Sequence, residues 1–234
     1  MAEVGTFSPD NRIGEMLVSS RSLAEYRAMF TLTDDELTET ILDCPGGAAS
    51  FTAEVRATGG RAVACDPRYE LPIGRLEDLA RTDLLRGYRY HQRNPDEYVW
   101  TFFTDPDHYL ASRSRSIELF TGHFAANPGS YVAASLPALP FPDRSFDLAL
   151  CSHLLFSYAD RLNRRFHLAS IVELARVAGE VRVFPLVPFG FATNPELPPL
   201  LEELGRAGVR ATVHAVDYEF QRGGHSMLSC RLIG

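Results

Sequence analysis

Residues 41–66 read ILDCPGGAASFTAEVRATGGRAVACD. The run divides into an apolar strand, a Gly-Gly turn, a helix, a second apolar strand and an acid. Asp43 closes the first apolar run and Asp66 follows the second. This is the sequence form of a nucleoside-binding βαβ unit. A carboxylate after the second strand can accept both hydroxyl hydrogens of a ribose, so the stretch points to an adenosine-containing cofactor. For the glycine pair alone, the competing reading is a plain strand-to-helix connection.

The glycine pattern separates one cofactor from another. A dinucleotide fingerprint needs glycine at the tight turn, at the pyrophosphate approach and at the helix–strand contact. Aligned from Asp43, those places hold Pro45, Gly47 and Ala49. Pro45 has no N–H to offer a phosphate, and its φ is fixed. Gly46 and Gly47 keep the freedom for positive φ or close backbone approach. S-adenosylmethionine carries no phosphate; it needs room beside the turn and an acid for its ribose. The departures therefore disfavour NAD and are compatible with S-adenosylmethionine.

Outward from this unit, strands and helices alternate. Upstream, residues 1–16 read as a loose leader. Arg21–Phe30 has the apolar spacing of a helix, and Thr33-Asp34-Asp35-Glu36 has the form of a capping box. Strands are expected at Thr40–Cys44, Arg61–Cys65, Tyr131–Ala134, Phe146–Cys151 and Glu180–Leu186, with helices at Gly47–Thr58, Asn163–Val177 and Pro198–Ala207. A long closing hairpin, Val209–Phe220 and Ser226–Ile233, is expected to turn at Gln221-Arg222-Gly223-Gly224. Residues 67–127 are aromatic, helical in period and without a convincing strand, so they read as a helical cap inserted after the second strand. Residues 1–39 read as N-terminal helices, and residues 1–234 as a single domain. The fold class is α/β: a Rossmann-like, seven-stranded mixed sheet, mostly parallel with one antiparallel strand, with helices on both faces.

Composition sets the outer limits. The chain has 234 residues, 45% of them hydrophobic, enough to bury a proper core. No apolar run approaches the roughly 18 residues of a membrane span, and the N-terminus lacks the form of a secretory signal. The four cysteines, Cys44, Cys65, Cys151 and Cys230, have no metal-ligand spacing and read as reduced core residues of a cytoplasmic protein. The net charge of −7 argues against an extended nucleic-acid partner. No metal, membrane or particular oligomeric state is indicated.

In a mostly parallel sheet, sites lie beyond the carboxyl ends of the strands. That selects Asp43–Gly47, Asp66–Tyr69, Ser135, Ser152-His153, Pro185–Phe189 and Gln221-Arg222. Two further segments match a known family. LPALPFPDRSFDLALCSHLLF (Leu136–Phe156) and VELARVAGEVRVFPL (Val172–Leu186), together with DCPGG and Asp66, resemble class I S-adenosylmethionine-dependent methyltransferases. DCPGGAASF, SHLLFSY and YEFQRGG resemble a bacterial group of these enzymes with no identified substrate. The resemblance spans roughly residues 20–234. It implies that Asp43, Pro45, Gly46 and Gly47 line the methionine end of the cofactor and that Asp66 holds the ribose. It also implies that Leu136 packs on adenine beside Ser135, and that Ser152 and His153 stand nearest the transferring methyl. Ser135 occupies a place where many relatives have an acid.

Beyond the cofactor, His153 is a candidate general base, because an unperturbed histidine titrates at about 6.5; a structural histidine closing the strand end is the competing reading. His167, inside a helix, reads as structural. Tyr69 and Arg222 are candidates for contact with the acceptor. Arg86, Arg89 and Arg93 in LLRGYRYHQR form either a cationic lid or a solvated helix face, and Arg27 is a candidate to close over the cofactor. The expected activity is in-line transfer of a methyl group to an oxygen or nitrogen of a small-molecule acceptor. Alternatives are a non-catalytic protein that binds S-adenosylmethionine or S-adenosylhomocysteine, and an NAD-dependent oxidoreductase.

Overall fold

The computed structural model describes residues 15–191 and 193–233; the expected leader thus lies, up to residue 14, outside the described residues. Seven strands form one sheet: β1 (Thr40–Asp43), β2 (Arg61–Cys65), β3 (Tyr131–Val132), β4 (Phe146–Ser152), β5 (Ala178–Phe184), β6 (Val209–Ala215) and β7 (Ser226–Leu232). Their order is β3-β2-β1-β4-β5-β7-β6. The pairs from β3 through β5 are parallel, and β7 runs antiparallel to both β5 and β6. The Rossmann-like mixed sheet expected from the sequence is therefore present.

The helices are α1 (Leu23–Phe30), α2 (Phe51–Ala57), α3 (Ile73–Arg93), α4 (Pro106–Ala126), α5 (Arg164–Val177) and α6 (Leu197–Arg206). Alternation along the central strands supplies two cores. Ile41, Leu148 and Leu150 turn toward Tyr26, Phe30 and Phe51 of α1 and α2. Leu42, Ala149 and Cys151 turn the other way, toward Ile171 and Leu174 of α5 and Leu200 of α6. All four cysteines are buried and free. No helix among the described residues is long and apolar enough to cross a membrane.

Local chemistry sets several helix starts. Ser22 and Glu25 form a reciprocal capping box on α1. Thr33 and Glu36 form the box expected from the sequence, at a single 3₁₀ turn. Asn163 caps α5, its side-chain oxygen accepting from the Phe166 amide at 3.0 Å. Asp105 caps α4 in the same way, through the His108 amide at 2.8 Å.

Three expectations need correction. The helix expected from Gly47 begins at Phe51, because the backbone of 46–50 is held by other partners. The third strand is two residues long, not four. The closing hairpin is shorter than its apolar alternation suggests. Residues 216–225 leave the sheet and bury Val216, Tyr218 and Phe220 in the aromatic cluster of segment 90–109. Phe220 there stacks on Tyr109, with ring centroids 5.4 Å apart. The excursion is stitched to the 97–99 segment by the Val99 amide on Phe220 O at 2.8 Å and the Arg222 amide on Glu97 O at 2.7 Å.

Candidate active site

Beyond the carboxyl ends of β1, β2 and β4 lies a cavity of about 380 Å³, within the range of about 300–1,000 Å³ usual for small-molecule sites. Its walls include Pro45, Gly47, Asp66, Ser135, Leu136, Ser152 and His153. These residues come from four separate places in the chain, and the parallel sheet brings their strand ends together.

The glycine turn is built for packing. Gly47 has φ +53°, and a Cβ there would stand 2.8 Å from the Ser19 carbonyl oxygen. A Cβ on Gly46 would stand 2.5 Å from the Tyr69 hydroxyl. Each amide of the turn already has a partner. Gly46 donates to Cys65 O at 3.0 Å, Ala48 to Ser19 O at 2.9 Å, Ala49 to Gly46 O at 3.1 Å and Ser50 to Arg21 O at 3.0 Å. The Gly47 amide donates to Asp66 Oδ2 at 3.0 Å. No amide of residues 46–50 is left to cradle a pyrophosphate.

Asp66 is held on both sides. Its Oδ1 accepts from the Arg68 amide at 2.8 Å, opposite the Gly47 bond. A carboxylate has about four lone-pair positions, so each oxygen keeps one free for a hydroxyl donor. Burial raises the Asp66 pKa, against the two backbone amides that lower it.

Not every selected residue faces this cavity. Asp43 is fully buried beneath the turn, where Tyr26 donates to its Oδ1 at 2.9 Å. Its Oδ2 has no partner, and burial raises its pKa to about 8. Gly46 is not in the lining. Tyr69 lies inside the aromatic packing of Phe120, Phe124 and Tyr131, with its hydroxyl on Gly47 O at 2.9 Å. Arg222 directs its Nε to the Asp96 carbonyl at 2.8 Å. Arg27 pairs with Asp34, away from the cavity. Arg89 and Arg93 are exposed, whereas Arg86 pairs with Asp83 at 2.9 Å. His167 is buried in α5, against Phe156.

His153 stands on the boundary with a second, smaller chamber of about 50 Å³. Its backbone φ is +51°, and its amide donates to Phe184 O at 2.6 Å. Its Nδ1 lies 2.9 Å from Ser152 Oγ. The titration near 6.5 assumed from sequence does not survive this setting. Burial first, then Arg21 and Arg113, hold its pKa well below the ordinary value, so the ring is neutral and a weak proton acceptor.

The second chamber is lined by His153, Phe189 and Gln221, which the strand-end argument selected, and by residues it did not reach, among them Arg21, His91, Tyr98, Tyr109 and Arg113. Gln221 and Phe220 enter from the 216–225 excursion. Arg113 is buried and paired with Glu25 at 2.8 Å, while Tyr218 donates to the same Glu25 oxygen at 3.1 Å. Residues 15–22 cross between the two spaces as a strap. Its Leu17 amide donates to the Tyr158 hydroxyl at 2.9 Å and its Val18 amide to Asp83 Oδ2 at 2.8 Å. Arg113 Nη1 donates to its Ser20 carbonyl at 2.8 Å. The strap's work is done by backbone groups, which leave no side-chain pattern. Besides those strand-end residues, the density of Tyr and His in 88–109 is the sequence signal of this chamber.

No protein-family model matches the chain. An uncharacterized protein of the archaeon Methanocaldococcus jannaschii, MJ0045, is 30% identical over 223 residues, covering 93% of this chain and 96% of that protein. The chain belongs to the family of that archaeal protein; a bacterial group was the expectation. Solved structures share the layout. Magnesium protoporphyrin IX methyltransferase from Synechocystis, with bound S-adenosylmethionine, is 15% identical with a TM-score of 0.42, covering 89% of this chain and 76% of that one. A methyltransferase dependent on S-adenosylmethionine from Methanosarcina mazei is 14% identical with a TM-score of 0.45, covering 85% and 94%. A candidate RNA methyltransferase from Pyrococcus horikoshii is 8% identical with a TM-score of 0.44, covering 91% and 83%. With TM-scores below 0.5, these likenesses assign no role to any residue.

Proposed function

We propose that this protein is a methyltransferase that uses S-adenosylmethionine and acts on an oxygen or nitrogen of a small-molecule acceptor. The observation that carries this reading is the glycine turn with all its amides engaged beside an acid that keeps two free lone pairs. Such a site suits a nucleoside and not a pyrophosphate. Asp66 would hold the ribose hydroxyls, Leu136 and Ser135 the adenine edge, and Pro45, Gly47 and Ser152 the methionine end. The cofactor supplies an activated methyl on a sulfonium.

Methyl transfer by in-line displacement depends chiefly on alignment and on exclusion of water. The strap 15–22 and the cap 67–127 close the acceptor side. His153, fixed by Ser152 and by its own strained backbone, borders both spaces and orients the acceptor beside the methyl; the proton that an O–H or N–H acceptor loses on methylation passes to solvent. The net charge of −7 favours a small acceptor over extended nucleic acid.

Mass spectrometry of ligand retained through native purification tests the reading. S-adenosylmethionine or S-adenosylhomocysteine is the expected mass; a nicotinamide dinucleotide would overturn it.

A further inference from the structure

Buried polar groups nearly always have a partner, and each one without needs an explanation. Arg21 Nε, His91 Nδ1, the Tyr98 hydroxyl, Arg113 Nε and Gln221 Oε1 have none among the described residues. All five side chains line the chamber beyond His153. His91, Tyr98, Arg113 and Gln221 are 8%, 5%, 3% and 6% exposed. A single orphan is satisfied by one water; five around one small space make a receptor for a polar group.

Charge narrows the choice. Arg113 is matched by Glu25 at 2.8 Å. Asp83 also lines the chamber, but the Val18 amide and Arg86 already engage it. Arg21 has no carboxylate within ion-pair distance among the described residues, and its Nη1 bonds only the Ser19 hydroxyl. Water can satisfy hydrogen bonds here but supplies no counter-charge to Arg21, a half-buried residue whose Nε is buried on the chamber side. An anion does both. The space is about 50 Å³, which suits the planar pair of oxygens of a carboxylate facing a guanidinium fork better than the four oxygens of a phosphate.

We propose that this chamber is the acceptor end of the site and that the acceptor is a small carboxylate, bound through Arg21 with the Tyr98 hydroxyl and the His91 ring beside it. Tyr109 and Phe220, also on the lining, provide apolar walls for the carbon body. This inference rests on the methyltransferase reading for the word acceptor, but the anion site itself does not.

The test is calorimetry on the full chain, with and without saturating S-adenosylhomocysteine. The titrants are formate and acetate, their neutral counterparts formamide and acetamide, and inorganic phosphate. The expected result is that a carboxylate binds about tenfold or more tightly than its amide. Arg21→Gln should erase that preference and leave S-adenosylhomocysteine affinity unchanged. Tyr98→Phe removes a hydroxyl with no protein partner, so it should weaken carboxylate binding severalfold without lowering the melting temperature; it carries the test should Arg21→Gln not fold. Equal binding of carboxylate and amide, a preference for phosphate, or a carboxylate preference that survives both variants would overturn the proposal. Loss of S-adenosylhomocysteine binding in the unaltered protein would overturn the cofactor reading instead, and a carboxylate preference in those same titrations would leave the anion site standing.

Discussion

The Gly47 amide donates to Asp66 Oδ2 at 3.0 Å, joining the turn after β1 to the acid after β2. The bond orients the carboxylate toward the cavity and consumes the amide that a dinucleotide site would aim at phosphate. Gly47 can make it because it stands at φ +53° with the Ser19 carbonyl where a side chain would be. One contact thus ties the nucleoside preference to the strap that closes the site.

Asp66→Ala should weaken S-adenosylhomocysteine binding by about tenfold or more. The ribose hydroxyls lose their acceptor, and unpaired buried groups cost about 1–3 kcal/mol each. Fluorescence or calorimetric titration of the variant measures this, with the urea midpoint as a control for folding. An unchanged affinity removes Asp66 from the site.

Gly47→Ala should destabilise the fold by about 1–3 kcal/mol, from positive φ and from the clash with Ser19. The strap must lift to admit the methyl group, so limited proteolysis near residues 15–20 should quicken. Equal midpoints and equal cleavage rates would show that the strap is not seated on this turn.

Much of this was legible along the chain, and the reasons differ by element. The βαβ unit declared itself because its strands are buried on both faces and read as unbroken apolar runs, Ile41-Leu42 and Ala62–Cys65. The capping box at Thr33 is local by construction, so sequence spacing and structure agree. The 216–225 excursion was misread because Val216, Tyr218 and Phe220 keep the period of two of a strand while docking in a different cluster. Arg21, His91, Tyr98 and Gln221 meet from four separate segments, and no spacing rule predicts their convergence. Asp43 was read as a cofactor contact from its place at a strand end, but its side chain turns under the sheet toward Tyr26.

Asp43 should impose a measurable pH dependence on stability. Its pKa rises from 3.8 to about 8 in the fold, chiefly through burial. The folded state therefore holds the proton more tightly than the unfolded state. Its contribution to stability is present below the unfolded value and is lost as pH rises through the window from about 4 to 8. Asp43→Asn keeps the Tyr26 bond without the ionisation, so the variant should gain stability relative to the unaltered chain between pH 5 and pH 8, as read from urea midpoints. Parallel curves would show that Asp43 does not hold its proton.

Removing one partner of the buried Arg113–Glu25 pair should cost about 3–5 kcal/mol, because the other charge is left uncompensated. Arg113→Met serves, with chemical denaturation as the measurement. The double variant Arg113→Met with Glu25→Gln should recover part of the loss. No loss in the single variant would mean that water reaches the pair.

The central claim is that the cavity at the ends of β1, β2 and β4 takes a nucleoside with no phosphate. Parallel calorimetric titrations of the full chain with S-adenosylhomocysteine and with NAD test it most directly. The account predicts micromolar binding of S-adenosylhomocysteine and no measurable heat from NAD. Binding of NAD with no response to S-adenosylhomocysteine would contradict it.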